Sequence, residues 1–188
     1  MHNNLTRFWP ETRLGDAADI STPCTYPLLD WPDDHLQPVL TIAKITDQSL
    51  ILDETKYVRI SDRELIKFQL RPGDIVFNNK TSPNNVGKSL IFDRNEFVLH
   101  TKYLRIRPFT DVDSQYLQLI LRQYKAEGRL RKIVKMSTRL SIITCTDLKN
   151  LRVPLPPLHV QRQILKGSET PLADLEAGIY ADTPTSYH

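Results

Sequence analysis

The chain has 188 residues, of which 40% are hydrophobic and 25% charged, enough for one well-buried core and at most an appendage. No run approaches the ~18 consecutive apolar residues of a spanning helix. The opening residues carry no apolar stretch behind a basic end, so neither a membrane segment nor a secretory signal is expected, and the cytoplasm is the expected compartment. The formal net charge of +3 is unevenly spread: residues 1–35 hold two basic and six acidic groups, residues 167–188 four acidic and no basic ones, leaving +11 on residues 36–166. A basic body with acidic ends suits a polyanion-binding surface, and equally a solvated mixed one.

Thirteen prolines against six glycines favour stiff loops and extended segments over a helix bundle. Residues 9–20 read as a short entry strand and a turn at Leu14-Gly15-Asp16. Residues 21–38, rich in Pro, Asp and aromatics, read as a long loop. Residues 38–45 and 51–60 follow as strands. Ser61 with Glu64 forms a capping box for a helix over 62–68. Arg71-Pro72-Gly73-Asp74 is a tight turn into a strand over 75–77. Residues 78–88, NNKTSPNNVGK, form a polar loop, residues 89–92 return as a strand, and residues 97–106 supply one or two more. Asp113 caps a helix whose buried face is Tyr116, Leu117, Ile120, Leu121 and Tyr124. Gly128 interrupts it, and a second helical piece is expected over 129–136. Thr146 is expected to cap a short turn, residues 151–155 to be extended, and Pro157 to sit in the first turn of a helix reaching Leu165. The sum is an α+β fold, a curved, mainly antiparallel sheet followed by helices.

The chemistry-bearing motifs mostly fail. Gly87-Lys88-Ser89 ends like a phosphate-binding loop, but the required glycine is replaced by Ser82 and followed by Pro83, which has no amide to donate. Pro156-Pro157 lacks the polar residue and the aromatic ring that grip a flipped adenine, and no glycine-rich turn serves a methyl donor. The five histidines (His2, His35, His100, His159, His188) show no metal spacing. Asp74, Asp93 and Glu96 lack the lysine of a nuclease strand. Cys24 and Cys145 read as reduced packing residues. Two features remain. The loop presents Asn78, Asn79, Lys80, Thr81, Ser82, Asn84, Asn85 and Lys88; asparagine can pair bidentately with adenine, and lysine or hydroxyls suit guanine or phosphates, the alternative being an ordinary polar hairpin loop. Residues 122–139 carry Arg122, Lys125, Arg129, Arg131, Lys132, Lys135 and Arg139 against Glu127 alone, a phosphate-gripping pattern or a solvated face. Arg105 and Arg107 alternate on a strand and are expected to line the same groove.

Taken together these pieces resemble one half of a specificity subunit of type I restriction–modification systems. The resemblance rests on Trp9 with Leu14-Gly15-Asp16; on residues 70–79 continuing through Ser82-Pro83 to residues 86–89; on residues 103–108 with the helix from Gln115; and on residues 151–158 with Gln161 and Ile164. It implies a non-catalytic target-recognition domain over residues 1–156 that reads one half of a bipartite site in double-stranded DNA, and the start of a spacer helix over 157–166. Residues 167–188 would be an acidic, flexible tail, since Gly167, Pro171, Gly178 and Pro184 stop a long helix. Methyltransferase (modification) and restriction subunits, with S-adenosylmethionine and ATP bound there rather than here, are the implied partners, together with a second specificity half. Pro157, Leu158, Gln161 and Ile164 would make the partner contacts. The competing reading is an interaction or decoy module that binds such subunits without reading DNA.

Overall fold

The computed structural model describes residues 9–40, 42–45, 50–52, 55–94, 97–136 and 140–167. In chain order its elements are β1 (Glu11–Arg13), α1 (Leu14–Ala17), β2 (Ala18–Ser21), β3 (Gln37–Leu40), β4 (Ile42–Ile45), β5 (Leu50–Leu52) and β6 (Lys56–Val58). There follow α2 (Asp62–Phe68), β7 (Ile75–Asn78), β8 (Lys80–Thr81), β9 (Ser89–Ile91), β10 (Val98–Leu99), β11 (Tyr103–Pro108) and α3 (Ser114–Ala126). A 3-10 turn (Arg129–Ile133), β12 (Lys135–Met136), β13 (Ser141–Ile142), α4 (Cys145–Lys149), β14 (Arg152–Pro154) and α5 (Leu158–Gly167) complete it.

β7 is four consecutive buried residues, the pattern of a strand covered on both faces. It lies inside a four-stranded antiparallel sheet of order β2-β11-β7-β9. Because side chains alternate along a strand, Ile75 and Phe77 join Leu104 and Ile106 in the main core, while Val76 and Tyr103 face a second cluster with Leu40, Leu70, Phe92 and Leu99. α3 covers the main-core side with Tyr116, Leu117, Ile120, Leu121 and Tyr124, the five residues that the helical spacing selects, and α5 adds Val160 and Ile164. A third cluster (Cys24, Val39, Val58, Val98) sits in the small sheet β10-β3-β6, whose β3–β10 pair is parallel. Every other named strand pair is antiparallel, so the expected α+β class holds, with the strands spread over several small sheets. β1 pairs with β14, which brings the first and last described strands side by side.

Local signals are where the sequence reads best. Ser61 and Glu64 close the capping box of α2, and the Asp113 carboxylate accepts from the amides of Gln115 and Tyr116 at the start of α3. Four expectations need correction. The single strand over 38–45 is divided between β3, whose Val39 and Leu40 enter two clusters, and β4, which pairs with β5. The strand expected over 51–60 is likewise two pieces, β5 and β6. The helix expected over 129–136 is a 3-10 turn followed by β12, because Gly128 at φ +72° ends α3 in the left-handed region. The cap of α4 is Thr144, not Thr146: its hydroxyl accepts from the Asp147 amide while Asp147 reaches back, a capping box shifted two residues. Residues 168–188, expected as an acidic tail, lie outside the described residues.

Candidate nucleic-acid interface

The polar loop after β7 is built rather than loose. The Asn78 amide donates to Lys88 O at 2.8 Å and Gly87 N to Asn78 O at 2.8 Å, closing its base. Within it Asn85 N and Val86 N both donate to Ser82 O, and Lys88 N to Asn85 O. Val86 is buried in the main core. Gly87, at φ +82°, lies so close to the 3-10 turn that a Cβ there would stand 2.6 Å from Leu130 Cδ1. From α3, the Lys125 ammonium donates to Asn84 O at 3.0 Å. With the amides of residues 85–88 all committed to the chain itself, the Gly87-Lys88-Ser89 segment offers no cradle of free N–H groups for a nucleotide phosphate.

The basic segment is joined to this loop. β8, inside the loop, pairs with β13, and β13 with β12. The register sets Lys80 and Lys135 on either side of Ile142 in one cross-strand row, hence on one face of this small sheet. Asn79 locks the junction: its backbone O accepts from Ile143 N at 2.9 Å and its Nδ2 donates to Ile143 O at 3.2 Å. Lys135 forms an ion pair with Asp147 at 3.1 Å; the Thr144 hydroxyl, and then this ammonium, hold the Asp147 carboxyl below its ordinary value. Arg131 and Lys132 leave the 3-10 turn as exposed side chains. Among the described residues, no hydrogen bond or ion pair engages the side chains of Lys80, Lys88, Arg131 or Lys132. Lys80 and Lys135 thus bring cations from two stretches far apart in sequence to one face.

Several expected site residues are committed to the fold instead. Arg105 is 4% exposed; it donates to Lys67 O and Gln69 O and pairs with Asp19 at 2.7 Å. Arg107 donates through Nε and Nη2 to the two carboxylate oxygens of the buried Asp74, both at 2.7 Å, and to Gln69 O. The two arginines do share a face of β11, as alternation demands, and the chain at the end of α2 packs against it, burying Arg105 and leaving Arg107 part-exposed. The Asp74 carboxylate beside Arg107 raises the guanidinium's already high value further. Arg129 stacks over the Tyr124 ring at 3.7 Å and reaches Glu11 at 3.4 Å, clamping the 3-10 turn to α3 and β1. Asn78 is buried, with no hydrogen-bond partner for its Oδ1 among the described residues. Arg139 lies outside the described residues.

The partner-contact set divides as well. Gln161 is fully buried; its Oε1 accepts from Asp113 N, and its Nε2 donates to Asp111 O and Pro156 O. Ile164 is core. Both therefore hold α5 against the start of α3 rather than facing outward. Pro157 and Leu158 line an open cleft of about 450 Å³ with Trp9, Pro10, Asp111, Leu155 and Pro156. What the basic-segment pattern could not reveal was that Lys125 serves the loop, a contact made across 41 residues of chain. Among the described residues no three His, Cys, Asp or Glu side chains gather as a metal site, and no helix is long and apolar enough to cross a membrane.

Comparison with known proteins adds a family to this geometry. A family model described as the type I restriction modification DNA specificity domain matches residues 8–182. The chain is 35% identical over 133 residues to a putative type I restriction enzyme MjaX specificity subunit of Methanocaldococcus jannaschii, covering 69% of this chain and 31% of that subunit. It is 24% identical over 150 residues to the type I restriction enzyme EcoKI specificity subunit of Escherichia coli, covering 78% and 31%. Its fold is similar to that of the HsdS subunit from Thermoanaerobacter tengcongensis, with a TM-score of 0.63 at 22% identity, covering 94% of this chain and 40% of that one. A type I restriction–modification S subunit from M. genitalium is similar at a TM-score of 0.51 and 14% identity, covering 86% and 39%. The chain thus spans about a third of the curated relatives and two fifths of the solved ones.

Proposed function

The chain belongs to the family of type I restriction–modification DNA specificity domains, and from that premise we propose that it is a double-stranded DNA recognition module that directs modification and restriction subunits to a target sequence. The observation that supports this most is the joining of residues 80–88 to residues 131–135 through the β8-β13-β12 sheet. Lys80 shares a face of that sheet with Lys135, and among the described residues Lys80, Lys88, Arg131 and Lys132 carry no hydrogen bond or ion pair on their side chains. Phosphates need charge without geometric finesse, and Lys80, Lys88, Arg131 and Lys132 supply it. Bases need directional donors and acceptors held still, and the polar side chains of the loop supply those on a backbone fixed at both ends.

In this reading the chain performs no bond-making step. Its contribution is position: it sets which base pairs lie where a partner subunit acts. The methyl donor and ATP belong to the modification and restriction subunits. Pro157 and Leu158, at the cleft with Trp9 and Pro10, are the partner-contact candidates that the fold leaves accessible. Selection of bound duplexes from a random pool, by the chain alone and with a modification subunit, tests the proposal. Enrichment of one half-site sequence is expected. No enrichment in either arm, at low salt, would refute it.

A further inference from the structure

A side-chain amide reads a base only when its carbonyl and its NH₂ are both free to turn toward the base edge. Four asparagines compete for that role in the loop. Asn78 is buried in β7. Asn79 spends its Nδ2 on Ile143 O at 3.2 Å, and Asn85 spends its Nδ2 on Ser82 Oγ at 3.1 Å. Asn84 differs: it is exposed, and among the described residues its side chain has no hydrogen-bond partner. Its backbone, by contrast, is held from two sides. Lys125 Nζ donates to its carbonyl, and the residues that follow are tied back to Ser82 O and seated against Leu130. A free amide on a fixed backbone loses little conformational entropy on binding beyond its own rotamer.

We propose, resting on the DNA-recognition reading above, that Asn84 is the specificity-determining residue of this loop and reads adenine in the major groove. Its carbonyl accepts from the adenine N6 amino group while its NH₂ donates to N7. Guanine presents two acceptors at the corresponding edge and refuses one arm of the amide; in the minor groove adenine shows no donor at all. The neighbouring lysines, Lys80 and Lys88, set the register on the backbone and carry no base preference.

The test compares duplexes selected from a random pool by the full chain and by Asn84→Ala, each with a modification subunit. Asn84 is exposed, and equal thermal unfolding of the two proteins checks that the fold is retained. One adenine of the selected half-site is expected to become degenerate in the Asn84→Ala pool. Replacing that adenine by 7-deazaadenine, which deletes only the N7 acceptor, is expected to weaken wild-type binding about tenfold or more and to leave Asn84→Ala unaffected. An Asn84→Ala pool that keeps every adenine preference, or a wild type indifferent to 7-deazaadenine at every position, overturns the inference alone. A wild-type chain that enriches no duplex overturns the DNA-recognition reading itself.

Discussion

Gly87→Ala tests whether the loop is held as described. At φ +82° the backbone stands in the left-handed region, where a Cβ costs roughly 1–2 kcal/mol. The added methyl would also meet Leu130 Cδ1 at 2.6 Å, and Leu130 is only 3% exposed and packed in the main core beside Val86. Its side chain can turn away only by displacing core neighbours, an overpacking cost of about 1–3 kcal/mol. The total, about 2–5 kcal/mol, is read from urea unfolding followed by circular dichroism. Leu130→Ala separates the two contributions. It carries its own cavity cost, yet in the double variant the collision is gone, so the two destabilisations should combine to less than their sum by about 1 kcal/mol or more. Gly87→Ala within about 0.5 kcal/mol of wild type, or strict additivity with Leu130→Ala, would refute the account of the loop's seat.

Three further perturbations address the residues that the fold has claimed. Arg107→Met leaves the buried Asp74 carboxylate without its fork of donors and is expected to cost about 3 kcal/mol in chemical denaturation; a loss of duplex affinity without loss of stability would return Arg107 to the groove. Gln161→Met strands Asp113 N, Asp111 O and Pro156 O, with an expected cost of about 2–3 kcal/mol; an unchanged unfolding midpoint with weakened subunit assembly would make Gln161 a contact residue after all. Burial lifts the Tyr124 phenol to about 12 and Tyr116 higher still. The unfolded chain ionises these phenols near pH 10, so the stability carried by their neutral forms is complete below about pH 10 and falls as pH rises toward 12. Tyr124→Phe should flatten that fall in alkaline unfolding curves, and an unchanged slope would count against the buried hydroxyl.

What could be read from the sequence was what short-range chemistry decides. The Ser61–Glu64 box and the Asp113 cap each need only three residues of context, and the buried face of α3 follows from its period. The arginines of β11 show where such reading stops. Alternation correctly puts Arg105 and Arg107 on one face, but whether that face meets water or protein depends on Asp19, Asp74 and the carbonyls of Lys67 and Gln69. Those partners arrive through tertiary packing, which leaves no local trace. Gln161 fails for the same reason, since its partners lie 48 and 50 residues away across the fold as well as nearby. The loop and the basic segment were each visible as composition; that Lys80 and Lys135 share a face depends on both pairing with Ile142, a register that neither segment encodes alone. The 3-10 turn in place of a helix follows from Gly128, which shows as an interruption in the sequence but not as a change of helix type.

The most direct test of the central claim is the salt dependence of duplex affinity for wild type and for a variant with Lys80, Lys88, Arg131 and Lys132 all changed to alanine, measured on the selected half-site. These side chains have no hydrogen-bond or ion-pair partner among the described residues, so folding stability should change little. Removing one cation from a phosphate makes the slope of log affinity against log salt shallower by about 0.9. The predicted outcome is a slope shallower by about 2–4 with the base preference retained. An identical slope in a folded variant would place the DNA on another face and contradict the account.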